Sequence, residues 1–282
     1  VSVVIPVCNE EEHLADQLAA LSSQTYSGEW ELLVVDNGST DRSVEIAAGF
    51  ASRLPLRVVD ASTRRGINHA RNVGATAARG EFVAFCDGDD AAAPGWLEAL
   101  VAAGAEADIV TGQLEFVQLN DALYRAWRPN EVLEDVPTAY DFLPSVSGGN
   151  CGMWTRVARE IGWNEDFRFG GCDVEFSWRA QLAGFTIAFA PDAVIHLRYR
   201  LTLRGLARQY FSYGKAGPLL YRHFRHHGMQ WDRQNAGDRW RWIAQGVRSA
   251  IRSQERRGNW VRLVSFSLGR AYGSLRWRVC FL

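Results

Sequence analysis

The first 112 residues alternate short apolar runs with stretches in which apolar residues recur every three or four positions. Residues 1–7, 32–36, 56–60, 81–87 and 108–114 are the runs. Largely apolar runs of this length predict buried strands, as in a parallel sheet. Between them, Leu14, Leu18 and Leu21 fall at i, i+4 and i+7, one face of a helix. Thr40 and Asp41 offer a helix start ahead of Val44, Ile46, Ala47 and Phe50. Ala70, Val73, Gly74 and Ala77 give a third helix a small-residue face suited to close packing on a sheet. The alternation predicts an α/β fold with right-handed crossovers. Asn9, Asp36 and Asp87 close three of the runs and should converge on one sheet edge.

From 115 to 170 the period breaks down. S-V-S-G-G-N-C-G (145–152) reads as a Gly-rich loop that lets a ligand approach the backbone. F-G-G-C-D-V-E-F-S-W-R (169–179) opens a helix running to Gly184, residues 186–190 form a strand, and 195–196 close the region. Beyond 197 the pattern is helical and rich in Arg and Trp. Three parts follow: 1–112, 113–200 completing the same domain, and a helical region over 201–282.

At 282 residues and 47% apolar, the chain can bury one large core or two smaller ones. Cys8, Cys86, Cys151, Cys172 and Cys280 include no C-x-x-C pair. Neither a zinc site nor a disulfide framework is indicated, and a reducing, cytoplasmic setting is expected. No signal peptide or run of roughly 18 apolar residues appears. The first residue is Val1 rather than Met, which leaves room for an upstream segment. The net charge of −1 hides an asymmetry. Residues 1–196 carry 13 Arg against 29 acids, and residues 197–282 carry 18 cationic side chains against 3 acids, giving −16 and +15. The acidic part is expected to hold metal and substrate, and the basic part to meet something anionic.

The chemistry concentrates in E-F-V-A-F-C-D-G-D-D (81–90). Three carboxylates at the end of a buried strand repel one another, and a hard cation such as Mg²⁺ or Mn²⁺ relieves that repulsion. Mg²⁺ typically takes one or two carboxylates plus substrate phosphates, and ligands of open α/β sheets bind at the carboxyl ends of strands. The plain alternative is a solvated acidic turn ahead of a helix starting near Pro94.

Together these segments resemble the family 2 inverting glycosyltransferases of the GT-A fold over about residues 1–215. V-S-V-V-I-P-V-C-N-E (1–10) resembles the family's opening strand and nucleotide loop, which assigns Pro6, Val7, Asn9 and Glu10 to the nucleotide. L-L-V-V-D-N-G-S-T-D (32–41) resembles its second strand, whose Asp, here Asp36, contacts the base. R-R-G-I-N-H-A-R-N-V-G (64–74) resembles its G-x-x-x-A-R-N-x-G helix, which adds Arg65 and Asn72; Arg64 and Arg71 are further candidate phosphate clamps. A-F-C-D-G-D-D is its D-x-D motif: the resemblance implies Asp87 and Gly88 at the nucleotide and Asp89 on the metal, with His196 completing the shell.

G-G-C-D-V-E-F-S-W-R resembles the family's catalytic helix. Its usual Glu-Asp is Cys172-Asp173 here, and Asp173 matches the base that takes the acceptor proton. A helix N-cap is the alternative role for Asp173. Glu175 lies about 200° further around the helix and faces elsewhere. Gly148, Gly149 and Asn150 resemble the acceptor-side loop, and Trp178, like Trp154 and Trp163, is either a sugar-stacking or a core residue. Processive members carry Q-x-x-R-W; here Gln209 is followed by Ser212-Tyr213 in place of Arg-Trp, so addition of one or a few sugars is expected.

The implied activity is metal-dependent (Mn²⁺ or Mg²⁺) transfer from a nucleotide-diphosphate sugar, most often a UDP-sugar, to a carbohydrate or lipid-linked acceptor. A sugar-nucleotide- or lipid-binding module without turnover is the non-enzymatic alternative. Nucleotidyl transfer would require a Lys in a Gly-rich loop after the first strand, and the sole lysine is Lys215. No nucleic-acid module is present. Trp231, Trp240, Trp242, Trp260 and Trp277 interleave with Arg, which suits an anionic membrane surface on the cytoplasmic face, with Trp260, Phe266 and Trp277 inserting. A subdomain packed on the core or on a twin subunit in a homodimer is the alternative.

Overall fold

Apolar runs become strands and the amphipathic stretches between them become helices. The computed structural model describes residues 1–128, 132–168, 170–230 and 236–281, with backbone alone at 236–239. Phe169 and Trp231, named above, lie outside the described residues. The first half runs β1 (Ser2–Val7), α1 (Leu14–Leu21), β2 (Glu31–Asp36), α2 (Ser43–Gly49), β3 (Leu56–Asp60), α3 (Ile67–Ala77), β4 (Phe82–Cys86), β5 (Ala91–Ala92), α4 (Trp96–Ala103) and β6 (Ile109–Glu115). There follow α5 (Ala122–Ala126), the short pair β7 (Thr138–Ala139) and β8 (Leu143–Pro144), β9 (Asn150–Trp154), α6 (Thr155–Ile161), α7 (Cys172–Leu182) and β10 (Ile187–His196). The chain ends in α8 (Leu203–Phe224), α9 (Ala236–Arg252) and α10 (Gln254–Trp277).

Among the described residues, eight strands form one sheet in the order β3-β2-β1-β4-β9-β6-β10-β5. The first four are parallel, so Val7, Asp36, Asp60 and Cys86 end at one edge. The antiparallel β9 is threaded between β4 and β6 with Cys86 opposite Asn150, which sets the 145–149 loop beside the turn after β4. β10 runs parallel to β6 and brings His196 opposite Glu115 at that same edge.

Helices cover both faces. Leu14, Leu18 and Leu21 of α1 pack with Trp96, Leu97 and Leu100 of α4 on one face. Ala70 and Ala75 of α3, Val157 of α6 and Phe176 of α7 cover the other. Two expectations change. Residues 150–152 belong to a buried strand rather than the loop, and the two expected strand pieces near 186–196 are one strand with a register shift between Ala190 and Val194. Nothing in N-C-G-M-W has the apolar density of the other strands. The β10 bulge carries Pro191, which cannot donate to the ladder.

The C-terminal helices pack on the sheet domain. Phe167 and Trp178 share a core with Ala216, Leu220 and Phe224 of α8 and with Phe281. α8 and α10 approach to backbone contact: a Cβ on Gly214 would lie 2.1 Å from the Phe266 carbonyl oxygen, and one on Gly269 would lie 2.2 Å from that of Phe211. Only glycine fits at such a crossing. No helix among the described residues is long and apolar enough to cross a membrane. Of the three residues expected to insert at a membrane, Trp260 donates to the Ile243 carbonyl between α9 and α10, Trp277 packs on the C-terminal core, and Phe266 lines the central cavity. Each is half-buried against these partners and not presented on an outer face, so insertion of these three is corrected.

Candidate active site

A cavity of about 610 Å³ opens at the carboxyl edge of the sheet. Asp87, Asp89, Gly149 and Asp173 line it together. The turn after β4 is fixed from below by Gln17 of α1, whose buried side chain donates to the Asp87 carbonyl and accepts from the Ala92 amide, at 2.8 and 2.9 Å. Gly88 is buried against β1 and α1. Gly149 sits so close to Asp87 that a Cβ there would lie 2.5 Å from Oδ2.

Arg71 is the organising cation. Its guanidinium is 3% exposed, lies 3.2 Å from Asp87 Oδ1, contacts Cys172 Sγ at 3.8 Å and stacks over Trp163 at 4.6 Å. It therefore ties the β4 turn to the start of α7, rather than standing as a phosphate clamp on an open helix face. The carboxylates of this turn are crowded. Burial, reinforced by the Asp87 charge, raises Asp89 above the usual carboxylate range, and burial with Asp89 and Asp87 nearby raises Asp90 further. Burial with Asp89 nearby pushes Glu10 up to about 7. Arg200 Nη1 lies 3.1 Å from Asp89 Oδ2, and the Arg198 amide donates to Asp90 Oδ1 at 2.8 Å. Both arginines escaped the sequence reading. Their signal was the R-Y-R alternation directly after the His196 strand.

The donor set of Asp87, Asp89 and Asp90 is all oxygen, which suits a hard divalent cation. Among the described residues no three His, Cys, Asp or Glu side chains converge to cage an ion by themselves. The arrangement therefore fits a cation held by one or two carboxylates and completed by substrate oxygens. His196 engages Glu115 Oε2 through Nδ1 at 2.8 Å, the kind of contact that fixes a ring for a role at Nε2.

Asp173 stands at the first turn of α7, half-buried. Its Oδ1 accepts from the Val174 amide at 2.9 Å, and Oδ2 has only a long 3.5 Å contact from the Gly148 amide. Glu175 is buried in a bidentate pair with Arg179 at 2.8 and 2.9 Å and also accepts from Asn164. Tyr140 and Tyr213 also line the cavity, and burial pushes each phenol up to about 12. Gln209, Ser212 and Tyr213 of α8 with Phe266 of α10 complete the wall.

The residues that the sequence assigns to the nucleotide occupy a neighbouring stretch of the same edge. The loop after β1 is stitched to the loop after β2: the Thr40 amide donates to Asn9 Oδ1 at 2.7 Å and the Glu10 amide to Ser43 Oγ at 2.8 Å. Asp36 is half-buried and accepts from the Ser39 amide. Arg65 is exposed and reaches across both strand ends to the Asn37 carbonyl and Cys8 Sγ. Asn37, missed by the sequence reading, is buried and bridges the Ala61 and Arg64 carbonyls and the Gly66 amide. Pro6 and Val7 are buried in β1, so only their backbone can meet a ligand.

Three sequence assignments are corrected. Asn72 cannot reach a nucleotide, because its amide is fully engaged by the Trp163 backbone and Glu165. Asn150 is 0% exposed and links Trp96 Nε1 to the Gln113 and Ala193 carbonyls, cross-bracing three strands. Trp178 is 0% exposed and donates to the Leu143 carbonyl, so it is core and not a sugar platform. Arg64 is likewise turned away, paired with Glu165 and Asp166.

The sheet edge thus sets an acidic turn across one cavity from the Asp173 carboxylate of α7. The chain belongs to Glycosyl transferase family 2, whose family model matches residues 2–162. It is similar to glycosyltransferase AglE of Haloferax volcanii, with 33% identity over 69% of this chain and 65% of that protein. It is also similar to the pre-mycofactocin glycosyltransferase of Mycobacterium tuberculosis, with 29% identity over 79% of this chain and 48% of that one. The chain thus spans between about half and two thirds of these relatives. Among solved structures, the fold matches mannosyltransferase PcManGT from Pyrobaculum calidifontis in complex with GDP-Man and Mn²⁺, with TM-score 0.65, 18% identity, and 96% and 86% of the two chains covered. It also matches S. aureus TarS 1-349 in complex with UDP-GlcNAc, with TM-score 0.57, 19% identity, and 100% and 93% covered. These likenesses establish the GT-A fold.

Proposed function

We propose that the chain transfers a sugar from a nucleoside-diphosphate donor, a UDP-sugar by preference, to an acceptor hydroxyl by a single inverting displacement. The observation that carries this is the meeting of the acidic turn after β4 with Asp173 of α7 across one cavity. Asp36, Asn9, Glu10 and Arg65 would bind the base and ribose end, with Asp87 toward the ribose. Asp89 would hold Mn²⁺ or Mg²⁺, with His196, across the ladder from Ala91, as the further candidate ligand. When bound, that cation supplies positive charge to the departing diphosphate. Arg200 now sits 3.1 Å from Asp89 Oδ2, so the cation would share or displace that contact.

Asp173 would take the acceptor proton at Oδ2, its less engaged oxygen. Tyr140 and Tyr213 stay neutral beside it, able to orient the acceptor but not to deprotonate it. Arg71 holds Asp87 and the start of α7 at fixed spacing. The α8–α10 wall has no Arg-Trp pair at 212–213, which supports addition of one or a few sugars. At its outer end Arg128 contacts Tyr199 and Tyr210 and has no carboxylate partner among the described residues. A guanidinium held between these rings favours a phosphate-bearing acceptor, as a lipid-linked sugar would be.

Diphosphate release from a panel of UDP- and GDP-sugars with Mn²⁺ tests the reading. Slow hydrolysis without acceptor is expected. Tight donor binding without any release, under every acceptor tried, would favour a binding module instead.

A further inference from the structure

α9 carries an apolar face that none of the described residues covers. At about 100° per residue, Trp240, Ala244, Val247 and Ile251 fall within about 60° of one another. All four are exposed, Ile251 by 70% and Trp240 by 41%. On one side of this stripe lie Ile243 and Ala250, buried against α10. On the other side lie the exposed Arg248 and Arg252, about 40° apart. The order around the helix is therefore packed face, exposed apolar stripe, arginine row.

We propose that this face of α9 docks on an anionic lipid bilayer, with Trp240, Val247 and Ile251 at the headgroup level and the arginine row against lipid phosphates. An apolar stripe bordered by Trp and Arg is the pattern of a helix lying in a membrane interface. Charge selects the occupant. Residues 197–282 carry +15 and only 3 acids, which complements an anionic surface. A second copy of the chain would set the same arginine row against itself. α9 packs along α10, whose Phe266 lines the cavity, so docking would hold the acceptor wall near the bilayer.

Co-sedimentation with vesicles of phosphatidylglycerol and phosphatidylcholine, against phosphatidylcholine alone, tests this without relying on turnover. Failure here would leave the catalytic reading standing, and loss of turnover would leave this one standing. Binding should need phosphatidylglycerol and weaken at high salt, since screening shortens to about 3 Å at 1 M. The partition coefficient should fall about tenfold or more in Val247→Asp/Ile251→Asp and in Arg248→Glu/Arg252→Glu. Leu182→Asp, which alters an exposed apolar residue on α7, should leave it unchanged. Brominated lipids should quench the wild-type fluorescence, and Trp240→Phe should lose part of that quenching, a readout that survives if the double variants misfold. No pelleting with anionic vesicles, equal binding by the folded double variants, or a dimer dispersed by Val247→Asp/Ile251→Asp would overturn the proposal.

Discussion

Asp173 and Glu175 show how two carboxylates two residues apart acquire opposite fates. Asp173 faces the cavity with Oδ2 nearly unengaged, while Glu175 is locked to Arg179 in the interior. Asp173→Asn keeps shape and hydrogen bonding but cannot take a proton. Turnover should fall by at least ~100-fold while donor affinity holds, measured by steady-state kinetics beside a donor titration. Equal losses in both would move Asp173 into the donor site. Glu175→Gln should instead cost about 1–3 kcal/mol in denaturant unfolding, because the buried carboxylate loses its charge-assisted pair with the half-buried Arg179. At this scale the sequence disclosed residue types at strand ends and little about where their polar atoms are satisfied. That Asp87, Asp89 and Asp173 line one cavity was legible because strand and helix termini put their carboxylates at the open edge of the sheet. Asn72 and Asn150 misled because an amide can satisfy backbone groups as readily as a ligand, and periodicity does not reveal which. Gln17 and Asn37 were invisible for the same reason: they act by bracing backbone.

The turn after β4 and the loop after β1 behave as one acidic element. Glu10 keeps its proton in the folded state up to about 7, whereas an ordinary Glu releases it near 4.5. Between those values the folded state binds more protons than the unfolded one, so ion-free stability should fall as pH rises through that window. Thermal unfolding from pH 4 to 8 in chelator measures this. A midpoint that rises between 4.5 and 7 would contradict the burial of Glu10 among Asp87 and Asp89. The α8–α10 crossing gives the second test. Gly269→Ala puts a methyl against the Phe211 carbonyl and should cost about 1–3 kcal/mol, read as a lower Tm, with turnover also reduced because Phe266 and Tyr213 shift. An unchanged Tm would mean that the helices do not cross so closely. Parallel strands were legible as largely apolar runs, and α1 from its three leucines. β9 was not, since its pairing with β4 and β6 is decided by tertiary position and not by N-C-G-M-W itself.

Across the whole molecule, charge and layer order coincide. The acidic part supplies the sheet and the acidic turn, and the basic helices close over it to form the far wall of the cavity. The sequence showed the two charge regimes but not that the second folds back onto the first, because small residues such as Gly214 and Gly269 carry no hydrophobic signal. The account stands on one claim, that Asp89 and a divalent cation together bind the donor's diphosphate. Titration calorimetry of UDP and GDP into the wild-type protein and Asp89→Ala, each with Mn²⁺ and with chelator, tests it most directly. The account predicts binding to the wild-type protein with Mn²⁺, weakened at least ~100-fold both by chelator and by Asp89→Ala, the scale of a lost charge-assisted phosphate contact. Equal affinity in chelator, or an Asp89→Ala variant that binds as the wild type does, would contradict it.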